Sequence, residues 1–265
     1  MTRHERFADK DFSNKDFVLA TDLDGTFLGG SDKDREMFYG WIEASRDRVG
    51  LIFVTGRDPG FISDLTKRRG VPRPDYVVGD VGTTIASVDH HHFLSPIQAL
   101  EAHISEAWGD AGARVNAALR GVSGLRLQPT LFRHRVSYDM DPAEFDPRAV
   151  EIVEDLGLDA LISDNRFFDV LPKGVSKGPS LRRLLEYLGV EEGRTLVAGD
   201  TMNDLSMIAS GLPAVAVGNS EEALKKEVAD LRSVTVAQAH GVAGIAEAIQ
   251  RFEMFPKPKE AVDVV

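Results

Sequence analysis

Residues 17–26, Phe-Val-Leu-Ala-Thr-Asp-Leu-Asp-Gly-Thr, constrain the fold more than any other stretch of the chain. Five mostly apolar residues, 17–21, have the length and residue types of a strand buried on both faces, and they run directly into Asp22 and Asp24. An ionised carboxylate is costly to bury without a partner, so two of them at the end of a core strand call for a cation or a shared proton. Along an extended backbone, positions i and i+2 project to the same side, which lets Asp22 and Asp24 face one point. Gly25 then permits a sharp turn. A second reading is a plain strand-to-helix loop in which Asp24 caps the helix that follows.

The surrounding chain bears on the choice. A helix is expected over 31–47, with Met37, Phe38, Trp41 and Ile42 on one stripe. Strand 51–54 ends in Thr55-Gly56-Arg57; Asp58 and Pro59 open a helix that Gly70 closes, and strand 76–78 follows. This βαβαβ series argues for an α/β fold with a parallel, doubly wound, Rossmann-like core sheet. From about 93 to 164 the rhythm changes to a helix over 96–119, strands at 125–127 and 134–140, a helix over 146–156 and a strand at 160–162. Residues 166–171 form a last strand before the α/β pattern resumes. That block reads as an inserted α+β domain, dividing the chain into a core of 1–88 and 169–265 and an insert of 89–168. Past Lys177 come a helix ending near Gly189, strand 195–198, a short helix near Leu205, strand 214–217, a helix from Glu221, strand 234–236 and a helix over 242–252. Residues 1–16 read as a leader with little structure beyond a turn, and the tail from Phe255 as frayed.

Composition narrows the chemistry. The 265 residues carry 31 Lys and Arg against 42 Asp and Glu, a net charge of -11. Such a surface repels nucleic acid and anionic membrane, and an anionic ligand must be caught by a local positive field. There is no cysteine, which excludes disulfides, thiolate metal sites and thiol nucleophiles. The charged first 16 residues hold no apolar signal core, and no apolar run approaches membrane-spanning length, so a cytoplasmic protein is expected.

Strand 195–198 ends in a second acidic turn, Gly199-Asp200-Thr201-Met202-Asn203-Asp204. Two strands of one sheet thus deliver carboxylates at their C-terminal ends, where ligand sites of open α/β sheets lie. Asp22, Asp24 and Asp200 can supply oxygens to one hard cation, most simply Mg²⁺, with room for water and a phosphate oxygen. Thr55 offers a hydroxyl and neighbouring backbone N–H groups to a phosphate. Lys177 opens a helix, where its charge opposes the helix dipole, so an anion nearby accounts for its place.

With these residues in view, the order DLDGT, TGR, Lys177-Gly178 at a helix start and GDTMND resembles the four-motif signature of the haloacid dehalogenase superfamily of phosphohydrolases. An insert between the second and third motifs is similar to a type C2 cap, and its αββαββ order to the C2B subgroup. Within that group the chain resembles the sucrose-phosphatase-like enzymes, through Asp75-Tyr76, Val81-Gly82-Thr83, Val136-Ser137-Tyr138 with Asp141, Asp169-Val170-Leu171-Pro172 and residues 241–249. The resemblance implies that Asp22 is a nucleophile forming an aspartyl-phosphate and that Asp24 is the general acid and base. It implies Mg²⁺ held by the Asp22 and Asp200 side chains and the Asp24 carbonyl, and phosphoryl oxygens stabilised by Thr55 and Lys177. Asn203 and Asp204 fall at supporting positions, one near the phosphate and one holding a metal water or Lys177. Gly56 and Gly199 allow close backbone approach. The implied substrate is a small-molecule sugar phosphate, a phosphorylated disaccharide or glycoside; the oligomeric state is not specified.

The insert departs from those relatives. Where sucrose phosphatases resemble one another in a Glu followed by Trp-Lys, residues 128–135 here read Gln-Pro-Thr-Leu-Phe-Arg-His-Arg, without the acid or the tryptophan. Strand alternation would put Arg133 and Arg135 on one face, with His134 on the other, either contacting substrate or forming a solvated face. Arg57 either reaches substrate or pairs with a surface acid, and His90-His91-His92 reads as a solvated run. A phosphomutase or phosphotransferase on the same scaffold, or a non-catalytic sugar-phosphate-binding module, are the alternatives. Retention of Asp22, Asp24, Lys177 and Asp200 together argues against the last.

Overall fold

In the computed structural model, residues 10–67 and 70–255 are described. Residues 10–13 form a single helical turn, α1 (Lys10–Ser13), whose Phe12 is buried against Tyr76 with ring centroids 4.9 Å apart. It lies in the stretch expected to hold little structure beyond a turn. Gly50 makes room for Phe12, because a Cβ there would lie 2.6 Å from the ring. The part of the leader before residue 10, and the tail beyond residue 255, lie outside the described residues. Phe255 itself packs on Phe17 and Trp41.

The chain then alternates as expected: β1 (Phe17–Thr21), α2 (Asp32–Ala44), β2 (Val49–Val54), α3 (Pro59–Thr66) and β3 (Tyr76–Gly79). Ser31 caps α2 in a capping box with Asp34, and Asp58 caps α3 ahead of Pro59. Two further strands, beyond those expected from the sequence, follow: β4 (Thr84–Val88), antiparallel to β3, and β5 (Leu94–Pro96), antiparallel to β4, with the histidine run at the tip of their hairpin.

The single helix expected over 96–119 is two, α4 (Gln98–Trp108) and α5 (Ala111–Ala118). Gly109, at φ 53 and ψ -122, takes a conformation only glycine adopts cheaply and breaks the run. Next come β6 (Leu125–Leu127), β7 (Val136–Met140), α6 (Arg148–Asp155), β8 (Leu158–Ser163) and β9 (Phe167–Pro172). The core resumes with α7 (Lys177–Leu188), β10 (Thr195–Gly199), α8 (Leu205–Ile208), β11 (Ala214–Ala216), α9 (Glu222–Val228), β12 (Val234–Val236) and α10 (Gly241–Arg251).

The large sheet runs β12-β11-β10-β1-β2-β3-β4-β5, parallel through β3, and the insert forms a four-stranded antiparallel sheet, β6-β7-β9-β8. The expected doubly wound core forms for a simple reason. Along β1, Phe17 and Leu19 face α2, α3 and α10, while Val18 and Ala20 face α7, α8 and α9. A strand with apolar residues at every position needs helices on both faces. The insert has its own core, built from Val136, Tyr138, Phe168 and Val170 against Val115 of α5 and Val153 of α6. β5 belongs to the large sheet, and β9, which spans residues 168 and 169, lies wholly in the small one.

Candidate active site

Strand order reverses at β1, between β2 and β10, and the carboxyl ends of these three strands build the site. Asp22 leaves β1 with its N–H donated to Ala198 O of β10 at 2.9 Å. The turn Leu23–Phe27 passes through Gly25 at φ 79, where a Cβ would lie 2.1 Å from Asp200 Oδ2, so only glycine fits. Thr26 Oγ1 donates to Asp200 Oδ1 at 2.7 Å, and Phe27 anchors the turn by stacking on Tyr39, centroids 4.8 Å apart.

Lys177 enters from the first residue of α7, wholly buried, and its Nζ donates to Asp22 Oδ1 (2.8 Å), Asn203 Oδ1 (2.8 Å) and Asp204 Oδ1 (2.6 Å). All three ammonium protons are used. Burial alone would lower its pKa, but the Asp204 and Asp22 carboxylates outweigh burial and hold it above the ordinary lysine range. The other Asp204 oxygen accepts the N–H groups of Asp200 (2.9 Å) and Thr201 (3.0 Å), fastening the second acidic turn. Gly199 is needed here, since its Cβ would come 2.6 Å from that of Asp204.

Carboxylate oxygens of Asp22, Asp200 and Asp204 lie within 4.8 Å of one another. Three acids against one ammonium leave an excess of negative charge. Burial, only partly offset by Lys177 and reinforced by Asp204 and Asp200, raises Asp22 well above the usual carboxylate range. Burial and Asp204 push Asp200 up to about 7. Such a cluster is stable in its ionised form only with a further positive charge. Asp22 Oδ2 and Asp200 Oδ2 accept no hydrogen bond among the described residues, and an all-oxygen pair of this kind suits a hard divalent cation.

Contrary to the i, i+2 expectation, the Asp24 carboxylate does not join the cluster. The backbone leaves the strand after Asp22, and the Asp24 carboxylate turns to the end of β2. There Arg57 donates to it at two points, Nε to Oδ2 at 2.7 Å and Nη2 to Oδ1 at 3.0 Å. Thr55, also buried, accepts the Arg57 N–H on Oγ1 at 3.2 Å. Gly56 is less constrained than expected, because a Cβ there would meet only Val81, at 3.7 Å.

These residues open into a cleft of about 590 Å³ between the core loops and the small sheet. Asp22, Asp24, Thr55, Gly56, Arg57, Asp200 and Asn203 line one wall; Gln128, Phe132, Arg135, Ser137, Ser163, Asp164, Arg166, Phe167 and Asp169 line the other. Lys177 and Asp204 stand behind the wall. The two cap arginines do not share a solvated strand face, because β7 begins only at Val136 and residues 133–135 are loop. Arg135 is buried, donates to Gly56 O at 3.1 Å, lies 3.5 Å from Asp169 Oδ1, and stacks 3.6 Å from the Phe132 ring centroid. Arg133 turns away from the cleft and forks onto Glu101, with both contacts at 2.8 Å, while also reaching Thr84.

Two parts of the cleft escaped sequence reasoning. Val81, left-handed at φ 60 although β-branched, holds its N–H on Thr55 O at 3.1 Å and lines the cleft. The hairpin turn at Asp164 and Asn165, φ 51 and 47, presents Ser163 and Arg166. An Asp-Asn pair between apolar runs is a recognisable signal for such a turn.

A parallel sheet bearing these four motifs on its carboxyl edge, with an α+β cap inserted between the second and third, defines a haloacid dehalogenase fold. The chain belongs to the sucrose-6F-phosphate phosphohydrolase family, whose model matches residues 15–253. It is similar to glucosylglycerol-phosphate synthase of Pseudomonas anguilliseptica, 39% identical over 91% of this chain, and spans 31% of that protein's length. It is similar to mannosylfructose-phosphate phosphatase of Agrobacterium fabrum, 29% identical over 77% of this chain and 83% of the relative. Among solved structures it is similar to the sucrose-phosphatase of Synechocystis in complex with sucrose and phosphate, with a TM-score of 0.81, 26% identity, and 90% and 98% of the two chains covered. Among the described residues, no helix is long and apolar enough to cross a membrane.

Proposed function

We propose that this chain is a Mg²⁺-dependent phosphomonoesterase acting on a phosphorylated disaccharide or glycoside. The observation that carries the proposal is the buried Asp22, Lys177 and Asp204 chain beside Asp200, opening into a cleft whose far wall belongs to the cap. Relatives named for sucrose phosphate, mannosylfructose phosphate and glucosylglycerol phosphate share a phosphorylated glycoside and differ in its glycosyl half, its acceptor half or both.

In this reading an Asp22 carboxylate oxygen attacks phosphorus; the new O–P bond forms as the bond from phosphorus to the sugar oxygen breaks, and Asp24 gives that oxygen its proton. Water then attacks the aspartyl-phosphate and loses its proton to Asp24, returning Asp22 as a carboxylate. The free oxygens of Asp22 and Asp200, with the Asp24 carbonyl, would hold Mg²⁺, which would supply positive charge to screen Asp22 from the phosphate dianion. Lys177 fixes the orientation of Asp22, and Thr55 with the backbone around Gly56 receives the phosphoryl oxygens. Asn203 and Asp204 hold Lys177 in place, and Arg135 presents the cap to the sugar. Arg133 has no part in the cleft.

A phosphate-release screen with Mg²⁺ over glycoside phosphates, hexose phosphates and a bisphosphate tests the proposal. Glycoside phosphates should give the highest kcat/KM. Release from none of them, or a clear preference for simple hexose phosphates, would overturn it.

A further inference from the structure

Asp24 and Arg57 face each other at the cleft, each about half exposed, at 53% and 49%. The guanidinium has a firm seat. The Arg57 backbone N–H is held by Thr55 Oγ1, the Arg57 carbonyl accepts the Asp80 N–H at 3.1 Å, and the guanidinium carbon lies 4.5 Å from the Phe61 ring centroid. Asp24 instead sits on a turn that has left the strand, next to Gly25.

In this fork Asp24 cannot serve as an acid. Both carboxylate oxygens accept from Arg57, which holds the side chain at the end of β2, turned away from Asp22. Its role in protonating the sugar needs one of those oxygens at the leaving group. Something must therefore take Arg57 away. A phosphate dianion offers the same two-point geometry with more charge than a carboxylate, and guanidinium is well matched to it.

We propose that Arg57 is a positioning residue that holds Asp24 aside at the end of β2 and exchanges it for the phosphate of the arriving substrate. The inference rests on the reading of Asp24 as general acid. Once released, the Asp24 side chain is free to turn to the sugar oxygen, so the acid reaches the leaving group only after phosphate has taken its place on Arg57. Anion binding then has to break the fork first. An exposed pair of this kind is worth up to about fivefold in an equilibrium constant.

The test is a double-mutant cycle on the dissociation constant of inorganic phosphate, measured by calorimetry at saturating Mg²⁺ for wild type, Asp24→Asn, Arg57→Ala and the double variant. Both residues are on the surface of the cleft, and circular dichroism checks that each variant is folded. Asp24→Asn should tighten phosphate about fivefold when Arg57 is present, and the gain should vanish in the Arg57→Ala background. General repulsion between Asp24 and phosphate would instead give the same gain in both. A ratio of the two gains above twofold supports the exchange, and a ratio of twofold or less overturns it. Turnover of a glycoside phosphate by wild type is measured alongside. Turnover without coupling refutes the exchange alone, whereas coupling without any turnover refutes the proposed activity.

Discussion

Replacing Lys177 by methionine removes the one cation buried among Asp22, Asp200 and Asp204 while keeping most of the side-chain volume. In the chelated protein this leaves two hydrogen-bonded carboxylate partners without their donor. Breaking a buried pair by removing one member costs about 3–5 kcal/mol. A control sits on α9, where Lys225 pairs with the exposed Glu222 at 2.8 Å; Lys225→Met should cost less than about 1 kcal/mol. At roughly 2–4 °C per kcal/mol for a chain of this size, Lys177→Met should melt about 10 °C below wild type in EDTA, and Lys225→Met within about 3 °C of it. Adding Asp204→Asn should restore part of the loss, because the amide oxygen can still accept the Asp200 and Thr201 N–H groups while one unpaired charge disappears. Thermal unfolding by circular dichroism in EDTA reads all three. If Lys177→Met melts with the surface control, or the second substitution only deepens the loss, Lys177 is not the counter-ion of this cluster.

Metal and pH should be linked through Asp200, whose folded value of about 7 lies above its ordinary 3.8. A carboxyl raised on folding contributes stability that is fully present below its unfolded pKa and lost as pH rises through its folded one. Chelated protein should therefore lose thermal stability between about pH 4 and pH 7, and Mg²⁺ should restore more of it at pH 8 than at pH 5. A metal-free midpoint that climbs over that range would contradict the assignment. In the cap, Arg135→Ala should lower kcat/KM for the best glycoside phosphate at least tenfold, about 1.4 kcal/mol, whereas Arg133→Ala should leave it within about threefold. The reverse order, in steady-state kinetics on folded variants, would mean that the loop at 133–135 is arranged differently when substrate binds.

The large sheet was legible because uninterrupted apolar runs such as 17–21 and 195–198 fit strands covered on both faces. The acids that end them are visible as a cluster only because parallel pairing of β1 with β10 is the natural outcome of that pattern. Lys177 was legible too, from its unfavourable place at a helix start. The placement of the Asp24 side chain is not legible from strand alternation, because Asp24 lies three residues past the end of β1: Gly25 and the turn around it redirect the carboxylate to Arg57. The same alternation put Arg133 and Arg135 on one face. Partners distant in sequence, Glu101 for one and Gly56 with Asp169 for the other, decide where those side chains go. No local pattern announces them. The strands β4 and β5 are short and polar at their hairpin tip, so they carry little periodicity, and their pairing with β3 is what orders them.

The most direct measurement is phosphate release by Asp22→Asn on the best glycoside phosphate at saturating Mg²⁺, beside wild type. The amide keeps the shape of the side chain and can still accept from Lys177, so the variant should fold and retain its circular dichroism spectrum. Without a carboxylate to attack phosphorus, release should fall by about 10³-fold or more, some 4 kcal/mol of transition-state stabilisation. A folded Asp22→Asn enzyme releasing phosphate within tenfold of wild type would show that Asp22 is not the nucleophile.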